Sequence, residues 1–393
     1  MQLTAEVTAA CNPAIISEIV KIDYLTWVQP MIPKSSFAMV QTGTRKIEPR
    51  DIPIPDIDDD SAILELEACG ICGSDVEQYE GVINVALPLI PGHEPLGRIA
   101  KIGDRAAKRW QVDVGDRVAV ETMLSCRFCS CCLSGQYHLC HDRRIYSYIP
   151  LSEEPGLWGA YSQYMYLHAN SVLHKMDPTL PAETAVMFNP LGAGFRWAVE
   201  LPQTGPGDTI VILGPGQRGL ASVIAAKEAG AAKIIVTGLE ADRDKLDLAL
   251  EFGADHCIDV ENENSVRRVK ELTDGGADIV VDVSANATQP VRDALHMVRA
   301  GGKVILAGVK GMKKVDDFIS DYIVLKEINI QGAMGVTASG YDSAIRLIES
   351  GSSPIARMHT HNFDLAEAAL AIQTLGREIP GQGSIHSCLI PPT

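Results

Sequence analysis

The chain has 393 residues, 46% of them hydrophobic and 21% charged, enough for about two domains with ordinary globular cores. With 34 Lys and Arg against 50 Asp and Glu the net charge is −16, which argues against nucleic acid and anionic membrane surfaces as partners, since both reward clustered cations. No apolar run reaches the roughly 18 residues that span a bilayer, and the N-terminus lacks a basic segment followed by an apolar one, so a cytoplasmic protein is expected.

Residues 1–35 form a weakly patterned extension, in which Ile15–Val20 fit one face of a short helix before Pro30 and Pro33 break the chain. A β-rich half follows. Ala62–Glu67, Leu96–Ile102 and Arg117–Glu121 are alternating or β-branched runs punctuated by Gly, Pro and Asp, and they read as strands. Next come Cys126, Cys129, Cys132 and Cys140 in a C-x2-C-x2-C-x7-C pattern, within a lobe of about residues 121–145. Four thiolates so spaced can close a tetrahedron around one zinc ion. Such a site has no position left for water or substrate, so it stabilises a lobe and performs no chemistry. Cys131 leaves the identity of the third sulfur open, and a disulfide cluster would need an oxidising compartment that nothing in the sequence indicates.

After about Pro190 the pattern becomes strand–helix alternation. Thr209–Leu213, Lys233–Thr237, Ala277–Val283 and Lys303–Ala307 read as buried strands, with helical spacing over Gly219–Ala229 and Asp242–Phe252. That alternation predicts an α/β fold built on a parallel sheet. The first strand runs directly into Gly214-Pro-Gly216-Gln217-Arg218-Gly219 and then a helix, which is the context that gives G-x-G-x-x-G its meaning. Gly214 turns the chain, Gly216 admits a pyrophosphate, and Gly219 lets the helix pack on the strand; Gln217 and Arg218 join them as candidate cofactor-binding residues. The second strand ends at Gly238, where a ribose-binding acid is expected. Glu240 and Asp242 follow closely, and either can reach a 2′-hydroxyl. Arg243 and Lys245 would suit a 2′-phosphate but for those acids, so NAD is favoured and NADP stays open. Two helical patches, Tyr341–Ser350 and Leu365–Leu375, with strand-like tails complete the chain.

A second metal constellation lies earlier, in Gly70-Ile-Cys72-Gly-Ser74-Asp75 and then Gly92-His93-Glu94. Together with Gly115-Asp116-Arg117-Val118, the four-cysteine lobe and the glycine loop, in that order, it resembles the zinc-dependent medium-chain alcohol and polyol dehydrogenases over about residues 37–393. The resemblance implies a GroES-like β-rich catalytic domain at 36–190 and a Rossmann dinucleotide-binding domain at 191–333, with a return to the catalytic domain at 334–393. It implies two zinc ions per chain, one catalytic and one structural, and a homodimer or homotetramer. The activity it implies is hydride transfer between a secondary alcohol or polyol and NAD(P), giving a ketone or aldehyde.

Carried over residue by residue, the resemblance places Cys72 and His93 on the catalytic zinc. The junction position that often supplies a third ligand holds Asn189, a poor ligand beside thiolate and imidazole. Glu94 matches the glutamate that polyol-dehydrogenase-like members use instead, with Asn189 left to orient a bound water. Ser74 matches the hydroxyl that receives the alcohol proton, and Glu77 stands where a relay histidine often does, as a proton carrier or a surface charge. Asp75 is expected to fix the loop. Trp158 reads as core rather than cleft lining, His359 and His361 as packing or surface residues, and Cys11, Cys69, Cys257 and Cys388 as small buried hydrophobes. Two rivals stay open: a zinc-free NADPH-dependent reductase of the same fold, and a dinucleotide-binding protein without turnover.

Overall fold

A computed structural model describes residues 32–381 and 383–392. The expected helix at Ile15–Val20, and Cys11, lie outside the described residues. Ser35–Gly43 already forms a strand, paired antiparallel with Lys46–Pro53. A seven-stranded sheet then takes shape. Its spatial order is His359–Asp364, His386–Ile390, Ala62–Gly70, Pro95–Ile102, Arg117–Val120 and Leu173–Lys175, with Tyr164–Leu167 also paired to Ala62–Gly70. The two C-terminal strands therefore return to the first half of the chain, where Cys388 pairs with Gly70 and Leu389 with Cys69.

The second sheet has six parallel strands in the order His256–Asp259, Lys233–Gly238, Thr209–Leu213, Ala277–Asp282, Val298–Leu306 and Asn329–Gly332. Both faces are buried, which is why the strands read as unbroken apolar runs. Ile210 and Ile212 enter one hydrophobic core, while Val211 and Leu213 enter the other. Strand order reverses on either side of Thr209–Leu213, so a crevice opens at its C-terminal end, where the glycine loop begins.

The helix after that loop runs from Gln217 to Glu228, two residues earlier than expected, because Gly216 with φ −63° and ψ 177° serves as its N-cap. Against it lies a helix absent from the sequence-based expectations, Phe188–Phe195, all eight residues of which are buried. Burial of Phe188 and Leu191 contributes about 1.5–3 kcal/mol each. The crossing is close: a Cβ on Gly194 would stand 2.5 Å from the Ala221 carbonyl oxygen. That approach brings Asn189 beside the start of the glycine-loop helix and so joins the two halves of the site. No helix among the described residues is long and apolar enough to cross a membrane.

Candidate metal and dinucleotide site

Two glycines shape the approach of the metal-binding candidates. Gly92 sits at φ +91°, and a Cβ there would lie 2.4 Å from the Tyr161 ring, so only glycine can make the turn into His93. A Cβ on Gly70 would meet Glu94 Oε2 at 2.4 Å, so this glycine leaves the room that the carboxylate fills. Past Gly70 the strand gives way to the helix Gly73–Tyr79, and Asp75 Oδ2 accepts the Cys72 backbone N–H at 2.8 Å. The other oxygen of Asp75 lies 3.3 Å from His93 Nδ1, an ion-pair distance behind the ring. In this arrangement Cys72, His93 and Glu94 bring their ligand atoms within 4.8 Å of one another.

A thiolate, an imidazole and a carboxylate so gathered fit a zinc ion. Glu94 Oε2 is buried with no hydrogen-bond partner among the described residues, which leaves an acceptor for a cation. Burial pushes the Cys72 thiol up, but the Arg218 guanidinium and His93 outweigh it and hold the group down at about 5. Burial raises Glu94 to about 7, with Arg218 opposing. For His93 burial disfavours the charged ring, and Asp75 more than reverses that.

Ser74 Oγ stands 3.3 Å from both Cys72 Sγ and His93 Nε2. Glu77, raised by burial and by the nearby Cys72 charge, lines the same cavity of about 370 Å³. So do Asn189, Thr122 and Tyr341. The Asn189 amide donates to the Tyr341 hydroxyl at 3.2 Å and to Thr122 Oγ1 at 3.4 Å. The cavity runs on to Val283, Ala285 and Val309 beside the parallel sheet, so the two halves of the fold face each other across it.

At the glycine loop, Gly214 has φ +105°, while a Cβ on Gly216 would meet nothing within 4 Å, which leaves the loop face open to a ligand. A Cβ on Gly219 would stand 1.9 Å from the Gly214 carbonyl oxygen, so this position does need glycine for the helix to pack. A second cavity of about 510 Å³ runs from the loop past Gly238 and Asp242. These features fit a dinucleotide. The predicted ribose acids divide: Asp242 lines the cavity, while Glu240 is exposed and does not. Gln217 and Arg218 differ from expectation, because their side chains turn toward the catalytic segment. Gln217 Nε2 donates to the Ile71 carbonyl at 3.2 Å, and Arg218 reaches Glu94 Oε1 at 2.7 Å and Cys72 Sγ at 3.4 Å.

In the cysteine lobe the sulfurs of Cys126, Cys129, Cys132 and Cys140 also lie within 4.8 Å of one another, and all four thiols are free. Backbone N–H groups of Cys126 and Cys129 donate to Cys140 Sγ and Cys126 Sγ, both at 3.3 Å. The ambiguity at the third position resolves to Cys132, since Cys131 points to His141 at 4.0 Å.

Residues 58–178 match the alcohol dehydrogenase GroES-like domain, and residues 219–350 match the zinc-binding dehydrogenase domain. A probable alcohol dehydrogenase of Mycobacterium tuberculosis is 43% identical over 359 residues, 90% of this chain and 98% of that one. The chain belongs to the zinc-type medium-chain dehydrogenase/reductase family. Sorbitol dehydrogenase of Bacillus subtilis is 33% identical over 87% of this chain and 94% of its own. Among solved structures, a Sinorhizobium meliloti protein described as a zinc-binding dehydrogenase and bound to NADP superposes with a TM-score of 0.80 at 25% identity, covering 91% of this chain and all of that one.

As a medium-chain dehydrogenase the chain has the GroES-like and parallel-sheet architecture expected of it; Tyr341 stands at its site without having been assigned, and Arg218, expected at the cofactor, stands beside the metal candidates. The last x of a glycine motif carries no signal that its side chain will cross to another sheet. Trp158 is buried core, with its indole N–H on the Glu153 carbonyl at 2.9 Å. His359 packs against His386, 3.0 Å between their Nδ1 atoms. Cys69 and Cys388 are buried as expected, while Cys257 is only partly so.

Proposed function

We propose that this chain interconverts a secondary alcohol or polyol with its ketone or aldehyde by hydride exchange with NAD(P). In this reading residues 36–190 and 334–393 act as the catalytic half and residues 191–333 bind the dinucleotide. Cys72, His93 and Glu94 would hold a catalytic zinc, and the four lobe cysteines a structural one. The convergence of thiolate, imidazole and carboxylate in a cavity that also reaches the parallel sheet is the observation that carries this proposal. It also favours the dehydrogenase over a zinc-free reductase and over a binding protein without turnover.

When bound, the catalytic zinc supplies a Lewis acid that makes a hydroxyl acidic near neutral pH. The chain supplies the rest. Asp75 holds the His93 ring through Nδ1, and Ser74 offers a hydroxyl beside Cys72 and His93 to take the substrate proton. Glu77, on the same cavity wall and raised in affinity for protons, passes that proton on to solvent. Val283, Val309 and Met334 give the same cavity an apolar lining, against which the nicotinamide face would rest.

NAD is the preferred cofactor in this account. The dinucleotide cavity is lined by Asp242, Glu263 and Asp293, and no Lys or Arg lines it among the described residues. A 2′-phosphate would meet those carboxylates, while Lys245 and Arg377 nearby are already paired to Asp242. A homodimer or homotetramer suits the outer strand Asn329–Gly332, which among the described residues pairs on one side only, and the exposed Met312, Val324 and Leu325. The thiolate lobe suits a reducing cytoplasm. Initial rates across secondary alcohols and polyols with NAD and with NADP test the proposal. Turnover with NAD at the higher kcat/KM is expected, and none with either cofactor on zinc-loaded protein would overturn it.

A further inference from the structure

Arg218 is the side chain whose placement the proposed chemistry leaves unexplained. It sits in the phosphate-binding loop, yet its guanidinium is largely buried in the other half of the site. One nitrogen, Nη2, lies 2.7 Å from Glu94 Oε1 and 3.4 Å from Cys72 Sγ, while Nη1 donates to the Asn189 carbonyl at 2.9 Å. The group stacks 5.7 Å from the Trp197 ring centroid, which limits where it can swing. Its neighbour Gln217 makes a parallel contact, to the carbonyl of Ile71 just before Cys72. The two residues between the second and third glycines thus both grip the segment that carries the metal candidates.

We propose that Arg218 is a positioning residue that makes dinucleotide and zinc binding reciprocal. This rests on the proposed zinc at Cys72, His93 and Glu94 and on the dinucleotide at the glycine loop. A dinucleotide closing on the loop N–H groups fixes the backbone from which Arg218 springs. The planar fork then fixes Glu94 through Oε1, leaving Oε2 buried and unpartnered for the metal, and fixes Asn189 through its backbone. Cofactor binding restricts the motion of Arg218 about the position it already holds at Glu94, so it lowers the cost of ordering Glu94 without bringing the guanidinium charge nearer the zinc site. The coupling is positive: each ligand tightens the other. Because linkage is reciprocal, the factor is the same in both directions.

The test measures the NADH dissociation constant by fluorescence titration on wild-type protein that retains its cysteine-lobe zinc, before and after reloading the Cys72 site. Zinc should tighten NADH by about fivefold or more, and saturating NADH should tighten zinc, measured against a chromophoric chelator, by the same factor. Arg218→Met should bring both factors to about one. Arg218→Lys keeps the buried charge if the methionine variant fails to fold, and with one point donor in place of a fork its factor should fall below half the wild-type value. Cys72→Ser should show no zinc response at all. A wild type without coupling, or Arg218 variants with the full factor, overturns the inference while leaving the dehydrogenase proposal standing. A wild type that binds no zinc beyond the cysteine lobe overturns both.

Discussion

Replacing Gly216 with alanine separates dinucleotide binding from folding. Gly216 has φ −63°, a value alanine adopts freely, and the added methyl would meet nothing within 4 Å. Giving up glycine at a helix N-cap costs about 1 kcal/mol, or about 2 °C in melting temperature. The methyl projects instead into the space where loop N–H groups approach the pyrophosphate. Each charge-assisted hydrogen bond lost there removes about 1.5–3 kcal/mol, which is roughly 10- to 100-fold in affinity. Gly219→Ala is the contrasting case. Its Cβ would stand 1.9 Å from the Gly214 oxygen against an ordinary contact of 3.4 Å, so helix and strand must part by about 1.5 Å, and stability and binding fall together. Fluorescence titration with NADH and thermal melts on the same samples distinguish the two. Gly216→Ala with a normal melt and unchanged NADH affinity would refute the assignment of this loop.

Cys129→Ser should lower the melting temperature by about 5 °C or more by opening the cysteine lobe, whereas Cys72→Ser should leave the melt nearly in place; differential scanning fluorimetry reads both. His386 is fully buried, and burial, with His359 and Arg218 adding to it, pushes the group down to about 3. Below its unfolded value of 6.5 the unfolded chain therefore binds a proton that the folded chain refuses. The His386 contribution to stability is full above about pH 6.5 and falls by up to about 1.4 kcal/mol per pH unit toward pH 3. Urea melts at pH 4 to 8 should show this acid flank flattened in His386→Gln; an identical slope in the variant would remove His386 from the account.

The strand at Thr209–Leu213 and the three loop glycines were readable because one short stretch holds strand, turn and helix signals together. That both sets of metal candidates would cluster was readable for a related reason. Their ligand types are rare and closely spaced, and only the choice between Cys131 and Cys132 needed coordinates. The helix Phe188–Phe195 was hidden because Asn-Pro-Leu-Gly-Ala-Gly reads locally as a turn, and its helicity comes from burial against a neighbouring helix. Strand Asn329–Gly332 is four residues with a single large apolar side chain, too little for a period-2 signal. The Arg218–Glu94 contact spans 124 residues of chain, and that of Asn189 with Tyr341 spans 152. Such pairings follow from how two sheets meet, which no local pattern encodes.

Zinc content measured beside turnover tests the central claim most directly. Wild-type protein should carry two zinc ions per chain and reduce NAD in the presence of a secondary alcohol. Cys72→Ser and His93→Ala should each keep one zinc, remain folded, and show no turnover. Alcohol oxidation at the wild-type rate by a variant holding only the cysteine-lobe zinc would contradict the account.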